Sequence, residues 1–270
     1  MYKTNDISLQ QKLNRLTEIL QDYGSVAVAF SGGVDSMLLL KHAHDLLGEN
    51  AVAVTAIAPN YSPDEINDAI NFCEAEGITH ILVHMDESFL GQIAHNPVER
   101  CYICKKIIFQ GLLSHPKLAG FKLVDGTNLD DASDFRPGEK ALFELGIHSP
   151  LREAEFTKQD IRASLKNLGI SAWSKPSFAC LASRIPYGEI ITVEKLNAIF
   201  YLEKLLHESG FEQVRVRHHG EIARIEVLPE DMPKFFDVDF MDKINKAAKA
   251  VGFTFAALDL GGYKMGNMNK

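Results

Sequence analysis

Two cysteines, Cys101 and Cys104, stand three positions apart in the stretch ERCYICKK, residues 99–106. The surrounding sequence predicts a helix, which would place both thiols on one face about a turn apart. A third cysteine, Cys180, lies far downstream in a proline-bounded stretch that predicts neither a helix nor a strand. Together these thiols could form a redox disulfide, bind zinc or hold an iron–sulfur cluster.

The spacing of the cysteines leaves all three chemistries open. A thioredoxin-type disulfide would use the CxxC pair and leave the third thiol idle. A structural zinc would need a fourth ligand, such as His84 or His95, whereas three cysteines alone suit a [4Fe–4S] cluster with one open iron. The fourth cysteine, Cys73, follows the apolar stripe of Ile66 and Ile70 on a predicted helix, so we expect it to be core.

The strongest signal in the sequence is SGGVDS, residues 31–36, which lies between a short apolar run and a helical pattern. A strand that turns through Gly32 and Gly33 into a helix directs backbone N–H groups and the positive end of the helix dipole at one point. Such a turn binds an anion, most often a phosphate. The loop adds two hydroxyls that can donate to phosphate and one carboxylate that can hold Mg²⁺: Ser31, Ser36 and Asp35.

Alternating strand and helix patterns predict a parallel sheet around this loop. After an N-terminal helix capped by Ser8, the predicted strands are 25–30, 51–59, 80–85 and one that begins at residue 121. Ligands of such sheets bind beyond the carboxyl ends of the strands, and the last strand leads directly into DGTN, residues 125–128. We therefore expect Gly126 and Thr127 to form a wall of a nucleotide pocket opposite SGGVDS.

A second polar set lies in the C-terminal part of the chain. The helix predicted over 192–209 carries Glu203 on its apolar stripe, either at a frayed rim or with a partner or function of its own. VRVRHHGEIARIEV predicts a hairpin around His219 and Gly220, with apolar residues on one face. The other face would be a solvated surface or a phosphate site, and it would collect Arg215, Arg217, Arg224 and Glu226.

Length and composition fit a globular protein of about two domains. The 270 residues are 46% hydrophobic and 24% charged, and no apolar run approaches the roughly 18 residues of a membrane span. We expect a parallel α/β domain with helices on both sheet faces over residues 1–170 and a smaller α/β domain over 171–270.

The start of the chain shows no secretory signal, which indicates a cytoplasmic location. A net charge of −8 argues against a nucleic-acid partner.

SGGVDS matches the pyrophosphate-loop motif of the ATP-pyrophosphatase superfamily, and it lacks the GK[ST] of a Walker loop. Nearly the whole chain resembles the LarE family. The motifs that carry this resemblance are SGGVDS, DGTNLDD (125–131), RPG (136–138), SPLREAEFTKQDIR (149–162), ACLASRIPYG (179–188) and VRVRHHGEIARIE (214–226).

The resemblance implies a pyrophosphate-loop fold and an ATP-dependent sulfur transferase of nickel-pincer nucleotide synthesis, which supplies the cofactor of lactate racemase. In that family ATP with Mg²⁺ adenylates carboxylates of a pyridinium-3,5-dicarboxylate mononucleotide, and sulfur then displaces AMP. Some members sacrifice the sulfur of a single cysteine. Others carry a CxxC and hold a [4Fe–4S] cluster that bears the transferable sulfide, and the CxxC here implies this second kind.

The resemblance also implies roles for individual residues. The implied cluster ligands are Cys101, Cys104 and Cys180. The implied anchors of the substrate phosphate are Ser183, Arg184, Arg215 and Arg217. The candidate catalytic residues are Cys180, Glu203 and Glu226, the two glutamates as acids, bases or ligands.

Three other functions remain open at this point. A tRNA-thiolating pyrophosphate-loop enzyme would also use three cysteines, an ATP-dependent amidating ligase would not need them, and an ATP-regulated metal-binding protein would not turn over. We expect a small nucleotide as substrate and a homo-oligomeric assembly, whereas the sequence does not identify the sulfur donor.

Overall fold

The computed structural model describes residues 6–86, 88–133, 137–175 and 179–264. The chain divides into two compact units. The first comprises residues 1–58, 63–89 and 99–178, and the second comprises 59–62, 90–98 and 179–270. The sequence predicts one division at residue 170, whereas the structure also assigns two short upstream segments to the second unit.

A parallel sheet forms the centre of the first unit, as the sequence predicts. In the described part of this unit the strands are β1 (Val26–Ala29), β2 (Ala51–Ile57), β3 (His80–His84) and β4 (Lys122–Val124). Their order is β3-β2-β1-β4, and Val26 of the inner strand β1 aligns with Ala51 on one side and Lys122 on the other. β1 and β2 are buried along almost their whole length, which explains why their sequences are apolar except for Thr55.

Helices flank this sheet. The helices that begin before residue 170 are α1 (Ile7–Tyr23), α2 (Val34–Leu47), α3 (Pro63–Glu76), α4 (Ser88–Ile93), α5 (Arg100–Leu113), α6 (Pro137–Glu144), α7 (Pro150–Glu153) and α8 (Lys158–Asn167). The prediction that Ser8 caps α1 is wrong. The cap is Asp6, whose Oδ1 accepts hydrogen bonds from the backbone N–H groups of Ser8 and Leu9, because the helix begins one residue before Ser8.

The second unit contains a three-stranded sheet. β5 (Val214–His219) and β6 (Ile222–Val227) form an antiparallel hairpin, and β7 (Phe255–Leu258) pairs in parallel with β6. The predicted hairpin is confirmed: the turn has two residues, and Gly220 has a φ of +57°. In the described part of this unit, α9 (Val193–Glu208) and α10 (Val238–Ala250) pack beside the sheet.

Backbone hydrogen bonds explain why segments 59–62 and 90–98 belong to the second unit. The carbonyl oxygens of Asn60 and Ala94 accept from the N–H groups of Leu181 and Ile191 at 2.9 and 2.8 Å. The buried side chain of Asn96 donates to the carbonyl oxygen of Pro186 at 2.6 Å. These contacts fix both ends of the stretch that begins just after Cys180. Within the residues that the structure describes, we find no helix whose length and hydrophobicity would let it cross a lipid bilayer.

Candidate functional site

The SGGVDS loop connects the buried strand β1 to the start of α2. Gly32 has a φ of +73°, and a Cβ there would lie 3.2 Å from the carbonyl oxygen of Glu65, so the position requires glycine. Gly33 is the N-cap of α2, and Ser36 Oγ in the first turn donates to its carbonyl oxygen at 3.0 Å. The first N–H groups of this 14-residue helix follow directly, as expected of an anion site.

Gly126 lies against this loop. A Cβ at Gly126 would lie 2.8 Å from the backbone nitrogen of Ser36, so the two backbone segments touch. The stretch after β4 is held by the buried carboxylate of Asp125, which accepts hydrogen bonds from Thr127 Oγ1 and Ser149 Oγ at 2.6 Å each. The structure thus brings together the two segments that the sequence places at one pocket. Binding of a nucleotide in that pocket stays a prediction.

Asp35, the predicted Mg²⁺ ligand, lies in the first turn of α2, and its carboxylate pairs with the ammonium of Lys158. The backbone N–H of Lys158 donates in turn to Oδ2 of Asp130 at 2.7 Å. The ammonium of Lys158 therefore neutralises the carboxylate of Asp35 in this structure, and Mg²⁺ binding by Asp35 stays a prediction. Sequence reasoning missed Lys158, although a signal existed: a lysine at the first position of a helix opposes the helix dipole and needs another reason to be there.

The four cysteines differ in accessibility. Cys73 is 1% exposed, and burial raises the pKa of its thiol to about 12, which confirms it as an inert core residue. Cys101, in the first turn of α5, is exposed, while Cys104 and Cys180 are partly exposed. Three reachable thiols and one buried thiol suit the donor set of a three-cysteine cluster. In the described ranges no three His, Cys, Asp or Glu side chains are already arranged around a metal position.

Arg184 holds the loop that carries Cys180. Its side chain is 2% exposed, and its Nε and Nη2 donate to the two carboxylate oxygens of Glu203 at 2.9 and 2.8 Å. Its Nη1 donates to the carbonyl oxygens of Cys180, at 3.0 Å, and of Ala179. The frayed-rim interpretation of Glu203 is wrong, because Glu203 is buried and paired. It also accepts from the backbone N–H of Val216 at 2.9 Å.

Arg215, Arg217 and Glu226 on the charged face of the hairpin are buried and Arg224 is half-buried, so the alternative of a solvated surface is wrong. Glu226 is 0% exposed, and its carboxylate accepts from Arg217 Nη2 at 2.8 Å and from Arg224 Nη2 at 2.9 Å. Arg217 Nη1 also donates to the carbonyl oxygen of Ser183 at 3.2 Å. This contact joins the hairpin to the loop after Cys180.

Arg215 belongs to the same buried face and is 3% exposed. Its Nη1 donates to the carbonyl oxygen of Val214 at 2.7 Å, and its guanidinium lies 5.5 Å from the ring centre of Tyr263. Burial and the neighbouring charge of Arg184 lower the pKa of Arg215. A phosphate would relieve that cost by supplying negative charge. The substrate-phosphate roles of Ser183 and the three arginines, and the catalytic roles of the two glutamates, stay predictions.

A parallel α/β sheet whose first strand turns through SGGVDS into a helix defines the class of the pyrophosphate-loop enzymes. No protein-family model matches the chain. It is 38% identical over 264 residues to the pyridinium-3,5-bisthiocarboxylic acid mononucleotide synthase of Lactiplantibacillus plantarum, covering 97% of this chain and 95% of that enzyme. The chain belongs to the family of that synthase, the LarE family, and is an enzyme.

Two further relatives match different shares of the chain. An uncharacterized protein of Synechocystis is 40% identical over 263 residues, covering 97% of this chain and 98% of that protein. The tRNA-specific 2-thiouridylase MnmA of Treponema denticola is 29% identical over 189 residues, which is 64% of this chain and 48% of that enzyme. The similarity to the thiouridylase extends the relationship to another pyrophosphate-loop enzyme.

Proposed function

We propose that this enzyme is an ATP-dependent sulfur transferase that converts carboxylates of a pyridinium-3,5-dicarboxylate mononucleotide to thiocarboxylates. The observation that carries the proposal is the 38% identity to the mononucleotide synthase over 97% of the chain. The contact between Gly126 and the start of α2 supports it, since it gives the first unit a glycine-walled anion site beside the sheet.

In the first half-reaction a carboxylate oxygen of the substrate attacks the α-phosphate of ATP, and pyrophosphate leaves. The N–H groups after Gly33 and the hydroxyls of Ser31 and Ser36 would bind the pyrophosphate moiety, with Gly126 and Thr127 as the opposite wall. Asp35 would hold Mg²⁺, which supplies positive charge to the phosphate oxygens. In the second half-reaction sulfide attacks the acyl carbon, and the C–O bond to AMP breaks.

The products of ATP test the first half-reaction. We expect AMP and pyrophosphate from ATP in the presence of substrate, measured by chromatography, and no ADP. Asp35→Asn should abolish this turnover without loss of fold. Asp45→Asn is the matched control, because Asp45 is also paired with a lysine and lies in the last turn of the same helix, at the end opposite the loop. ADP as the product, or full activity of Asp35→Asn, would contradict the proposal.

We propose that Cys101, Cys104 and Cys180 ligate one [4Fe–4S] cluster. Their accessibility supports this, since Cys73 is the buried member of the four. A cluster with three protein ligands supplies an iron that can carry the sulfide to be transferred. Anaerobic protein should contain iron and acid-labile sulfide, and a single Cys→Ser change at 101, 104 or 180 should remove both, whereas Cys73→Ser should not. Zinc without iron would exclude the cluster.

A sacrificial cysteine is the competing source of sulfur. If the double variant Cys101→Ser/Cys104→Ser still transfers one sulfur and loses about 34 Da, Cys180 has become dehydroalanine by loss of the elements of H₂S. Mass spectrometry after one turnover distinguishes the two sources, because a cluster-dependent enzyme keeps its mass.

We propose that Arg215 and Arg217 anchor the substrate phosphate in the second unit, with Ser183 and Arg184 beside them. Both guanidinium groups are buried, and burial and the positive charge of Arg184 lower the pKa of Arg215, a cost that a bound phosphate would offset. Arg215→Ala should weaken binding of the substrate mononucleotide about tenfold or more, since a charge-assisted hydrogen bond is worth roughly 1.5–3 kcal/mol. Unchanged binding with a large loss of stability would show a structural role instead.

Thiolation of tRNA is the second candidate, supported by the match to MnmA over 64% of the chain. The net charge of −8 argues against it, because binding to a phosphate backbone rests on positive charge. Thiolation of tRNA in vitro with ATP and a sulfide source, at a rate that exceeds thiolation of the mononucleotide, would favour this candidate.

A further inference from the structure

Lys105 connects the helix of the CxxC pair with the loop after β4. It follows Cys104 directly on α5, and its Nζ lies 3.6 Å from Oδ2 of Asp125. Asp125 is 5% exposed, and two hydroxyl groups already donate to its carboxylate. Lys105 therefore gives a nearly buried carboxylate its cationic partner, which a negative charge removed from water requires.

The path of the Lys105 side chain depends on Gly138, in the first turn of α6. A Cβ added to Gly138 would lie 2.9 Å from Cδ and 3.7 Å from Cγ of Lys105. Because α5 and α6 pack against each other here, any larger residue would push the lysine chain aside. Gly138 is the last residue of the RPG motif, whose Arg136 lies outside the described residues. The glycine of this motif thus has a physical reason: it leaves room for Lys105.

The carboxylate held by Lys105 directly precedes the wall of the nucleotide pocket. Asp125 is followed by Gly126, whose backbone touches the nitrogen of Ser36 so closely that a Cβ there would lie at 2.8 Å. A shift of Asp125 therefore displaces Gly126 relative to the pyrophosphate loop, because the two residues are adjacent in the chain and the two backbone segments are already in close contact.

We propose that Lys105 is a positioning residue for the nucleotide. Its ammonium fixes Asp125, Asp125 fixes the wall at Gly126, and Gly138 keeps open the space through which the lysine reaches them. The inference rests on the proposed function in one respect, because it takes this pocket as the ATP site.

The test is binding of an ATP analogue with a methylene group between the α- and β-phosphates, with Mg²⁺, measured by calorimetry. Lys105→Met should weaken binding about tenfold, and Lys105→Arg should retain most of the affinity. Gly138→Ala should also weaken binding, because it displaces the lysine without removing its charge. In the Lys105→Met background the same Gly138→Ala change should have no further effect, since the two positions act through one side chain.

Two variants serve as matched controls. Lys106 lies on the same helix and its side chain is 36% exposed, like that of Lys105, but its Nζ donates to Glu144 at 2.8 Å. Lys106→Met should therefore bind the analogue like the wild type. Gly111→Ala adds a methyl group, as Gly138→Ala does, but at a position on α5 where the nearest neighbouring atom would be Met85 Cε at 3.5 Å. This variant should also bind the analogue like the wild type.

The outcomes separate this inference from the proposed function. A wild-type enzyme that does not bind the analogue would overturn both. A wild type that binds, with Lys105→Met binding equally well, would overturn the inference alone. Equal losses from Gly138→Ala in both backgrounds would refute the link between Gly138 and Lys105. A lowered melting temperature of Lys105→Met that Lys105→Arg does not restore would show that Lys105 is structural.

Discussion

The guanidinium of Arg184 and the carboxylate of Glu203 face each other through two N–H···O bonds of 2.9 and 2.8 Å in the interior of the second unit. The two side chains are 2% and 8% exposed. Since the same guanidinium also donates to the carbonyl oxygen of Cys180, the sulfur-bearing residue is held by a buried ion pair. Arg184 and Glu203 are thus positioned to shape the Cys180 loop from within.

This pair should behave as a buried ion pair in stability measurements. Arg184→Met leaves the Glu203 carboxylate without its partner and should lower the free energy of unfolding by about 3–5 kcal/mol, whereas Arg184→Met/Glu203→Leu should recover much of that loss. Denaturant unfolding measures both. The control is Asp242→Asn, which breaks an exposed pair with Lys246 and should change stability by less than about 1 kcal/mol. A double variant no more stable than the single one would contradict the expectation.

Alkylation should distinguish the four thiols. In reduced, metal-free protein, iodoacetamide should modify Cys101, Cys104 and Cys180 within minutes, and Cys73 after denaturation, because Cys73 is 1% exposed and its thiol pKa is raised to about 12. Peptide mass spectrometry after timed quenching assigns each site. Modification of Cys73 in the native protein as fast as Cys101 would show that the core of the first unit opens readily.

Gly126→Ala should damage the nucleotide pocket. The new methyl group would lie 2.8 Å from the backbone nitrogen of Ser36, and a backbone cannot turn aside as a side chain can. We expect a loss of stability of about 1–3 kcal/mol, as for overpacking in a core, together with loss of ATP-analogue binding. Gly91→Ala is the control, since its methyl group would meet nothing within 4 Å. Wild-type affinity of Gly126→Ala would disprove the contact.

Stability should fall as the pH drops from 6.5 to 4. Burial lowers the pKa of both His42 and His218 from 6.5 to about 4, and the charge of Lys195 adds to the effect at His218. Between these pH values the unfolded chain binds protons that the folded chain does not, so the free energy of unfolding rises with pH in this window. The contribution of the two histidines to stability is fully present above pH 6.5.

Unfolding midpoints at pH 7.5 and 5 test this dependence. His218→Leu, which keeps an apolar side chain against Phe253, should lose part of the difference between the two midpoints. His84→Gln, at an exposed position of β3, should retain it. The same difference in the His218 variant and the wild type would contradict the assignment.

Local pattern was enough to predict the sheet of the first unit. β1 and β2 consist of small and β-branched residues because both faces of a parallel strand are buried, and SGGVDS fixes where β1 ends. The hairpin around Gly220 was also predictable from local pattern, because alternation of period two indicates its two strands and the glycine indicates the turn between them. The cap of α1 was not, because Asp6 and Ser8 are both good capping residues and the sequence does not state which begins the helix.

Which charged residues pair with each other could not be predicted. Arg184 and Glu203 are 19 positions apart, and Lys158 and Asp35 are 123 apart, so no local period relates them. Alternation placed Arg217 and Glu226 on one face but did not tell a buried face from a solvated one, since that depends on what covers the sheet. The need for glycine at position 138 could not be predicted either, because it depends on the side chain of Lys105 on another helix.

Three backbone hydrogen bonds affect how the chain folds while it is being synthesised. They run from the N–H groups of Leu181, Gly188 and Ile191 to the carbonyl oxygens of Asn60, Asn96 and Ala94, respectively. A ribosome completes residues 59–62 and 90–98 long before the stretch that binds them has been made. At about 5–20 residues per second, these segments wait several seconds for their partners. During that time their backbone groups lack these hydrogen-bond partners, so we expect a nascent polypeptide that stalls before residue 191 to be accessible to chaperones and proteases at these two segments.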